Sequence, residues 1–573
     1  MKNQNYSYRN TVLLLAVFSA SLAYVIIYFN YFQTPTGDYI GNFRSRVLDY
    51  MGGNFPGQVY KILPVYPLVL AALAKLNLFR GHDPIYITAL ALNICLFVPY
   101  FFLTYSLYRR YLSRNTSLIA ILFLGVNIYT VYTAVNAELE MLLSLMIVLS
   151  LYLTMRDSKI SYITAFFTAA IKWDSVFIIP AVMFRDFFYR KRKILSIILG
   201  IAATSGVAAW FILSIINTPD YANPYVGEIA RRGPNVYRYL IDCFLVTSGF
   251  IPWMATQAWF SGSTALMVPL FFITFISGTT VLAGLIAGGI LIIKEKGREF
   301  APVMVFAGGF LLIHLIYQNT KARYVLPILW LLNLLLFYGL AKGILPWLQK
   351  NLARLKPGYS KSLFIMSMSL PVILLVIVAA VNSDTILLSH VTIILILSSL
   401  FVLILTHPET PLSGRAVSII LCFAVTVISF QVIYGARTMD HYSLRRVEFK
   451  KAALWFKDNA EPGQKMLITE TSVVRYYSGF DSSRFVPSRS LKSNTVSELI
   501  KECGEKGITY IFVDDFYIRR YKYHDKNAIE RKAWLFRDLR ENWKSSTHFR
   551  PVKKFTTQGG ITSHIYRFEH SQE

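Results

Sequence analysis

Charge is what this chain has least of. Only 16% of its 573 residues are Asp, Glu, Lys or Arg, against a hydrophobic share of 54% and a mean hydropathy of +0.45. A water-soluble chain of this length carries about 25% charged residues. The deficit, with the apolar residues clustered in runs, excludes an ordinary soluble enzyme and points to a membrane protein. Cysteine is scarce too: Cys95, Cys243, Cys422 and Cys503 are scattered, with no CxxC pair. That excludes a disulfide framework and a cysteine-based zinc site. No glycine-rich nucleotide loop, internal repeat or basic nucleic-acid arm is evident, so neither a nucleotide-sugar donor nor a nucleic-acid partner is expected.

What is present is a series of apolar runs. Those of spanning length fall near 12–32, 86–108, 116–135, 138–155, 194–216, 265–293, 300–318, 324–341, 363–381, 385–405 and 416–434. The stretch 160–184 is broken by Lys172, Trp173 and Asp174 and reads as two short helices meeting at a polar turn. The expected fold is an α-helical multi-pass membrane protein of about 13 transmembrane helices. The first run is longer than a signal-peptide core and no small-residue cleavage site follows it, so it reads as an uncleaved span. The segment 67–79 is too short to cross, at about 13 residues, and reads as an interfacial helix.

The net charge of +26 is mostly topological on this reading. Alternate loops carry unequal numbers of Lys and Arg: the richer set includes Arg109, Arg110, Arg114 and the run Arg190–Lys193. This bias predicts a cytoplasmic N-terminus and, with an odd number of spans, an extracytoplasmic C-terminus at the plasma (inner) membrane. The expected division is a transmembrane domain over 1–435, with a structured first outer loop at 33–85, and a soluble α/β domain over 436–573. In that tail RRVEFKKAALWFKDN has helical spacing, Glu461-Pro462-Gly463 is a turn, and KMLITET and ITYIFVDD read as strands.

Acids on the expected outer face are candidates for chemistry, because carboxylates at a membrane edge are costly to desolvate. They are Asp38 in TGDY, Glu138 and Glu140 in NAELE, and Asp174. The plain alternative is that each ends a helix in water. Lys61, Arg231, Arg232, Lys321 and Arg323 on the same face could bind a lipid phosphate or touch headgroups. His314 lies four residues before Gln318, and with Tyr317 and Arg323 could line a cavity; a packing histidine is the alternative.

These features in order resemble a known family. GDYIGNFRSRVLDYMGGNF, VYKILPVYPLVLAALAKL, LYRRYLSRN, NAELEMLLSLMIVLSLYL and IYQNTKARYVLPILWLLNLLL look like the GT-C membrane glycosyltransferases, which include protein O-mannosyltransferases and lipid A aminoarabinose transferases. The resemblance covers roughly 1–345 and implies transfer of a sugar from a polyprenyl-phosphate donor to a lipid, glycan or protein acceptor. It implies Asp38 and Glu138 as catalytic, with Asp38 the general base. Lys61 becomes a donor-phosphate ligand together with Arg231 or Arg232; beside these, Arg323 stays a candidate for the phosphate, and Tyr39, Glu140, His314 and Tyr317 stay candidates for the cavity or the acceptor. Asp38 and Glu138 could share a divalent cation, Mg²⁺ or Mn²⁺. Where the family often has two adjacent acids this chain has Asp38-Tyr39, which suggests a single carboxylate or different metal use. The alternative from another class is a transporter or flippase of lipid-linked glycans; against it, no paired halves are visible and the acids gather at one face.

Overall fold

The structure, a computed structural model, describes residues 2–29, 32, 34–54, 62–80, 83–217, 236–248, 264–316, 322–352, 446–514, 518, 528–545, 547–556 and 562–569. The chain divides into two compact units. The first holds residues 1–31 and 46–439; the second holds residues 32–45 and 440–573.

The first unit is helical. Its helices include, among the described residues, α1 (Lys2–Ile27), α2 (Val65–Ala74), α3 (Pro84–Tyr108), α4 (Arg114–Val126), α5 (Ile128–Ala134), α6 (Glu140–Met155), α7 (Ile160–Ala169), α8 (Ile178–Phe184), α9 (Lys193–Asn217), α10 (Val236–Ser248), α11 (Thr264–Ile316) and α12 (Leu326–Gly339). Four helices among the described residues are long and apolar enough to cross a membrane, within 84–108, 193–213, 278–315 and 326–347; α4 and α5, bent by 60°, make a fifth if they count as one span. Backbone groups in hydrocarbon must find partners within their own segment, which is why these apolar runs are helices. The runs expected at 363–381, 385–405 and 416–434 lie outside the described residues, as does the expected domain boundary at 435.

Two local features follow from particular residues. In α11 the backbone leaves helical values at Lys296 (φ −130°, ψ 15°), so two helices meet in the charged Lys294–Glu299 stretch. The interruption at Lys172–Asp174 folds as a tight 3₁₀ turn, Trp173–Phe177, between α7 and α8. Segment 67–79, read as interfacial, forms the ten-residue α2, too short to span.

Packing inside the unit relies on small residues. A Cβ on Gly288 of α11 would overlap the Leu335 carbonyl oxygen, and one on Gly339 would overlap that of Gly284. The two backbones therefore touch, the arrangement by which helices associate without a hydrophobic driving force. Buried polar groups tie further helices together: Asn333 Nδ2 donates to Ala120 O (2.7 Å) and Tyr108 Oη (3.1 Å), while Tyr108 Oη donates to Trp330 O (2.7 Å). On α9, Ile194, Ile201, Ile212 and Ile216 are all exposed, as expected of a lipid-facing surface.

The second unit is α/β. Its elements are α13 (Val447–Asn459), β1 (Lys465–Ile468), α14 (Thr471–Ser478), β2 (Phe485–Pro487), α15 (Val496–Lys506), β3 (Ile508–Val513), α16 (Ala528–Asn542), β4 (Phe549–Thr556) and β5 (Thr562–Phe568). The five-stranded sheet has the order β2-β1-β3-β5-β4. β1 pairs parallel with β2 and β3, whereas β5 runs antiparallel to both β3 and β4. Alternation along the strands sends Met466, Ile468, Phe512 and Ile565 to one face, under α13 and α14, and Leu467, Ile511, Val513 and Tyr566 to the other, under α15 and α16. Ile40, from the segment 32–45, packs against the first of these cores.

Candidate active site

The NAELE segment links α5 to α6 in the first unit. Asn93 of α3 fixes it by donating from Nδ2 to the carbonyl oxygens of Asn136 and Glu138 (2.9 Å to the latter). Glu138 is 4% exposed and its Oε1 lies 3.3 Å from Arg323 Nη1. Glu140, at the first turn of α6, is equally buried, and its Oε2 has no hydrogen-bond partner among the described residues. The Glu140 carboxylate is within electrostatic reach of Tyr66 on α2 and of Lys172.

A second group forms where the polar turn meets the end of α11. Lys172 Nζ and His314 Nε2 each lie 3.0 Å from Asp174 Oδ2. Asp174 is 5% and His314 3% exposed. The imidazole stacks between Tyr239, at 4.9 Å, and Tyr324, at 5.5 Å. Lys172 Nζ sits 4.4 Å from the Tyr324 ring centroid, a cation–π contact. Tyr324 follows Arg323 directly, so both groups converge on the short segment that leads into α12.

Breaking buried ion pairs is costly, yet they add little stability compared with apolar packing. Two such groups inside an apolar helical unit therefore argue for a task. Other ion pairs of this unit are more exposed: Arg110 with Glu299 at 3.1 Å and Arg185 with Asp157 at 2.8 Å. Glu299 precedes His314 by about 22 Å of helix at the standard rise.

Asp38 lies in the second unit. It precedes a wide π-helical turn, Tyr39–Arg44, and its Oδ1 accepts from Asn42 Nδ2 at 3.2 Å. Thr36 starts the turn by accepting the Tyr39 amide on Oγ1 and the Ile40 amide on its carbonyl oxygen, both at 3.1 Å. Tyr39 is fully buried.

Glu138, Glu140, His314 and Arg323 thus fall in the first unit, and Asp38 and Tyr39 in the second. Lys61, Arg231, Arg232, Tyr317, Gln318 and Lys321 lie outside the described residues. Arg323, read as a phosphate ligand, is held by a carboxylate. His314, for which packing was the alternative, has its ring stacked between two tyrosines and its Nε2 bonded to Asp174. The sequence reading did not place Lys172 in the site; the signal was its position beside Asp174 in an otherwise apolar stretch. Among the described residues, no three His, Cys, Asp or Glu side chains converge to hold a metal ion.

No protein-family model and no curated protein matches the chain. Solved structures do share its fold. ArnT from Cupriavidus metallidurans in the apo state matches with a TM-score of 0.53 and 12% identity, over 99% of this chain and 98% of that one. The same protein bound to undecaprenyl phosphate matches at 0.52 and 12%, over 97% of each chain. The archaeal oligosaccharyltransferase AglB from Archaeoglobus fulgidus, in complex with an inhibitory peptide and a dolichol-phosphate, matches at 0.53 and 11%, over 99% of this chain and 75% of that one. The chain has the fold of these membrane glycosyltransferases, as the GT-C resemblance implied. At these identities the likeness speaks for the fold alone.

Proposed function

We propose that the protein is a membrane glycosyltransferase that moves a sugar from a polyprenyl-phosphate donor to a lipid, glycan or protein acceptor. The observation that carries this reading is the buried set Glu138–Arg323 and Lys172–Asp174–His314 inside an apolar helical unit. Such a set supplies cations for a phosphate leaving group and carboxylates for a hydroxyl acceptor. ArnT with undecaprenyl phosphate and AglB with dolichol-phosphate, which share the fold, lend it support.

Glycosyl transfer develops positive charge on the sugar and negative charge on the departing phosphate. In this proposal Asp38 takes the proton from the acceptor hydroxyl. Glu138 orients the acceptor. Lys61, Arg231 and Arg232 meet the lipid phosphate, joined by Arg323 as it exchanges Glu138 for the donor. A divalent cation, Mg²⁺ or Mn²⁺, with Asp38 or Glu138 among its ligands, would neutralise phosphate charge. About 13 spans, a transmembrane domain over 1–435 and an extracytoplasmic domain over 436–573 complete the proposal.

The test is mass spectrometry of lipid-linked sugars in cells carrying the wild-type gene, no gene, or Asp38→Asn. One polyprenyl-phosphate sugar is expected to accumulate in the last two, with the variant present in the membrane at wild-type level. Transfer by Asp38→Asn at the wild-type rate would overturn the catalytic reading.

A further inference from the structure

We propose that Arg446 and Glu470 form a clamp that positions Asp38, so that the C-terminal domain sets the geometry of the base. This rests on the reading of Asp38 given above. Arg446 breaks two local rules at once. Its backbone is left-handed (φ 68°, ψ 8°), a conformation that costs any residue with a Cβ. It also stands at the N-cap of α13, where Ser, Thr, Asp or Asn would accept an amide and where a cation opposes the helix dipole. Neither choice helps α13, and such exceptions gather where function requires them.

The arginine side chain explains the placement. Its Nε donates to Glu470 Oε2 at 2.9 Å, with the guanidinium 15% exposed. The other edge faces the first loop: a Cβ on Gly37 would lie 3.4 Å from Arg446 Nη2 and 3.8 Å from Glu470 Oε2. The pair thus lies beside the residue immediately before Asp38, close enough that a single added methyl would touch both side chains. The Thr36 bonds hold the turn itself, and the segment is seated on the same unit by Ile40 against the sheet core and by Arg44, whose guanidinium sits 5.4 Å from the Tyr476 ring centroid. Arg446 and Glu470 are positioning residues: a general base must be held within about half an ångström of its working place, and a loop does that only when a rigid neighbour holds it.

The test uses the full-length protein in lipid nanodiscs and reads hydrogen–deuterium exchange over 36–42, where the Tyr39 and Ile40 amides are bonded to Thr36. Arg446→Ala and Glu470→Gln are expected to speed exchange there roughly tenfold, with peptides from β3 unchanged. Transfer, read as clearance of the accumulated polyprenyl-phosphate sugar, falls in step. Arg446→Lys, which keeps the charge on Glu470 but loses the planar edge toward Gly37, recovers part of both readouts. Should Arg446→Ala also lose protection in β3, Arg446→Lys and Glu470→Gln decide. Unchanged exchange over 36–42 in folded variants overturns the clamp. Full activity of Asp38→Asn would instead overturn the role of Asp38 and leave the exchange result standing.

Discussion

His314 and Asp174, 140 positions apart, are joined by a 3.0 Å contact between Nε2 and Oδ2 in the interior of the helical unit. The same carboxylate oxygen holds Lys172 at 3.0 Å. Asp174 is therefore the counter-charge of one buried cation and the partner of a stacked imidazole.

Removing that carboxylate leaves Lys172 charged and without its ion-pair partner. Asp174→Ala is expected to cost about 3–5 kcal/mol, the range for breaking a buried pair from one side. It should lower the thermal midpoint of the purified protein, read by intrinsic fluorescence. Lys172→Met added to Asp174→Ala should restore most of the midpoint, since apolar side chains of similar volume replace buried pairs at little cost. It should not restore sugar transfer. An unchanged midpoint in Asp174→Ala would show that the pair is solvated.

Much of this architecture is legible along the chain. The run expected at 86–108 is the helix Pro84–Tyr108, and the break expected between 293 and 300 contains the non-helical Lys296. The interruption at 172–174 forms the turn between two short helices. In the tail, the helix follows from periodicity, because one of its faces is buried, and β1 and β3 follow from their short apolar runs, because both faces of these strands are covered. The short strand β2 and the pair β4–β5 do not: β4 places Arg550, Lys553 and Lys554 on a partly exposed edge. The pairings Glu138–Arg323 and Asp174–His314 are not legible either, since periodicity reports burial within one element and says nothing of the element opposite. For the same reason the grouping of residues 32–45 with the C-terminal residues does not follow from spacing; the packing of Ile40, the approach of Gly37 to Arg446 and the stacking of Arg44 on Tyr476 reveal it.

The C-terminal domain carries a built-in acid sensitivity. Glu502 on α15 is buried, which alone would raise its pKa, but the Lys506 ammonium at 2.6 Å and the amides of Ser493 and Lys492 at 2.9–3.0 Å hold it at about 2. The folded value lies below the unfolded one, so the charged form stabilises the fold. That contribution is complete above the unfolded value of 4.5 and is lost as pH falls from there toward 2. It is worth on the order of 3 kcal/mol, at about 1.4 kcal/mol per pH unit. Glu502→Gln should therefore weaken the domain at pH 7 and flatten its pH dependence below pH 4.5. Exchange in β3 peptides at pH 7 and pH 3 reads both effects, and equal pH slopes for wild type and variant would contradict the assignment.

Glu140 separates stability from function within one side chain. Its carboxylate is buried at the start of α6, with Oε2 unpartnered among the described residues and within electrostatic reach of Tyr66 and Lys172. An unsatisfied buried oxygen stabilises nothing by itself; a carboxylate kept there is a cost to the fold. The neutral isostere in Glu140→Gln should thus leave the thermal midpoint unchanged or raise it by a few degrees, while transfer falls roughly tenfold or more through loss of the negative charge that faces Lys172. Glu140→Asp keeps the charge but withdraws it by about one methylene length, about 1.5 Å, and should retain part of the activity. A purely structural glutamate would behave in the opposite way, with stability lost in both variants and transfer per folded molecule unchanged. Measuring the midpoint and the clearance of the accumulated lipid-linked sugar on the same preparations distinguishes the two cases.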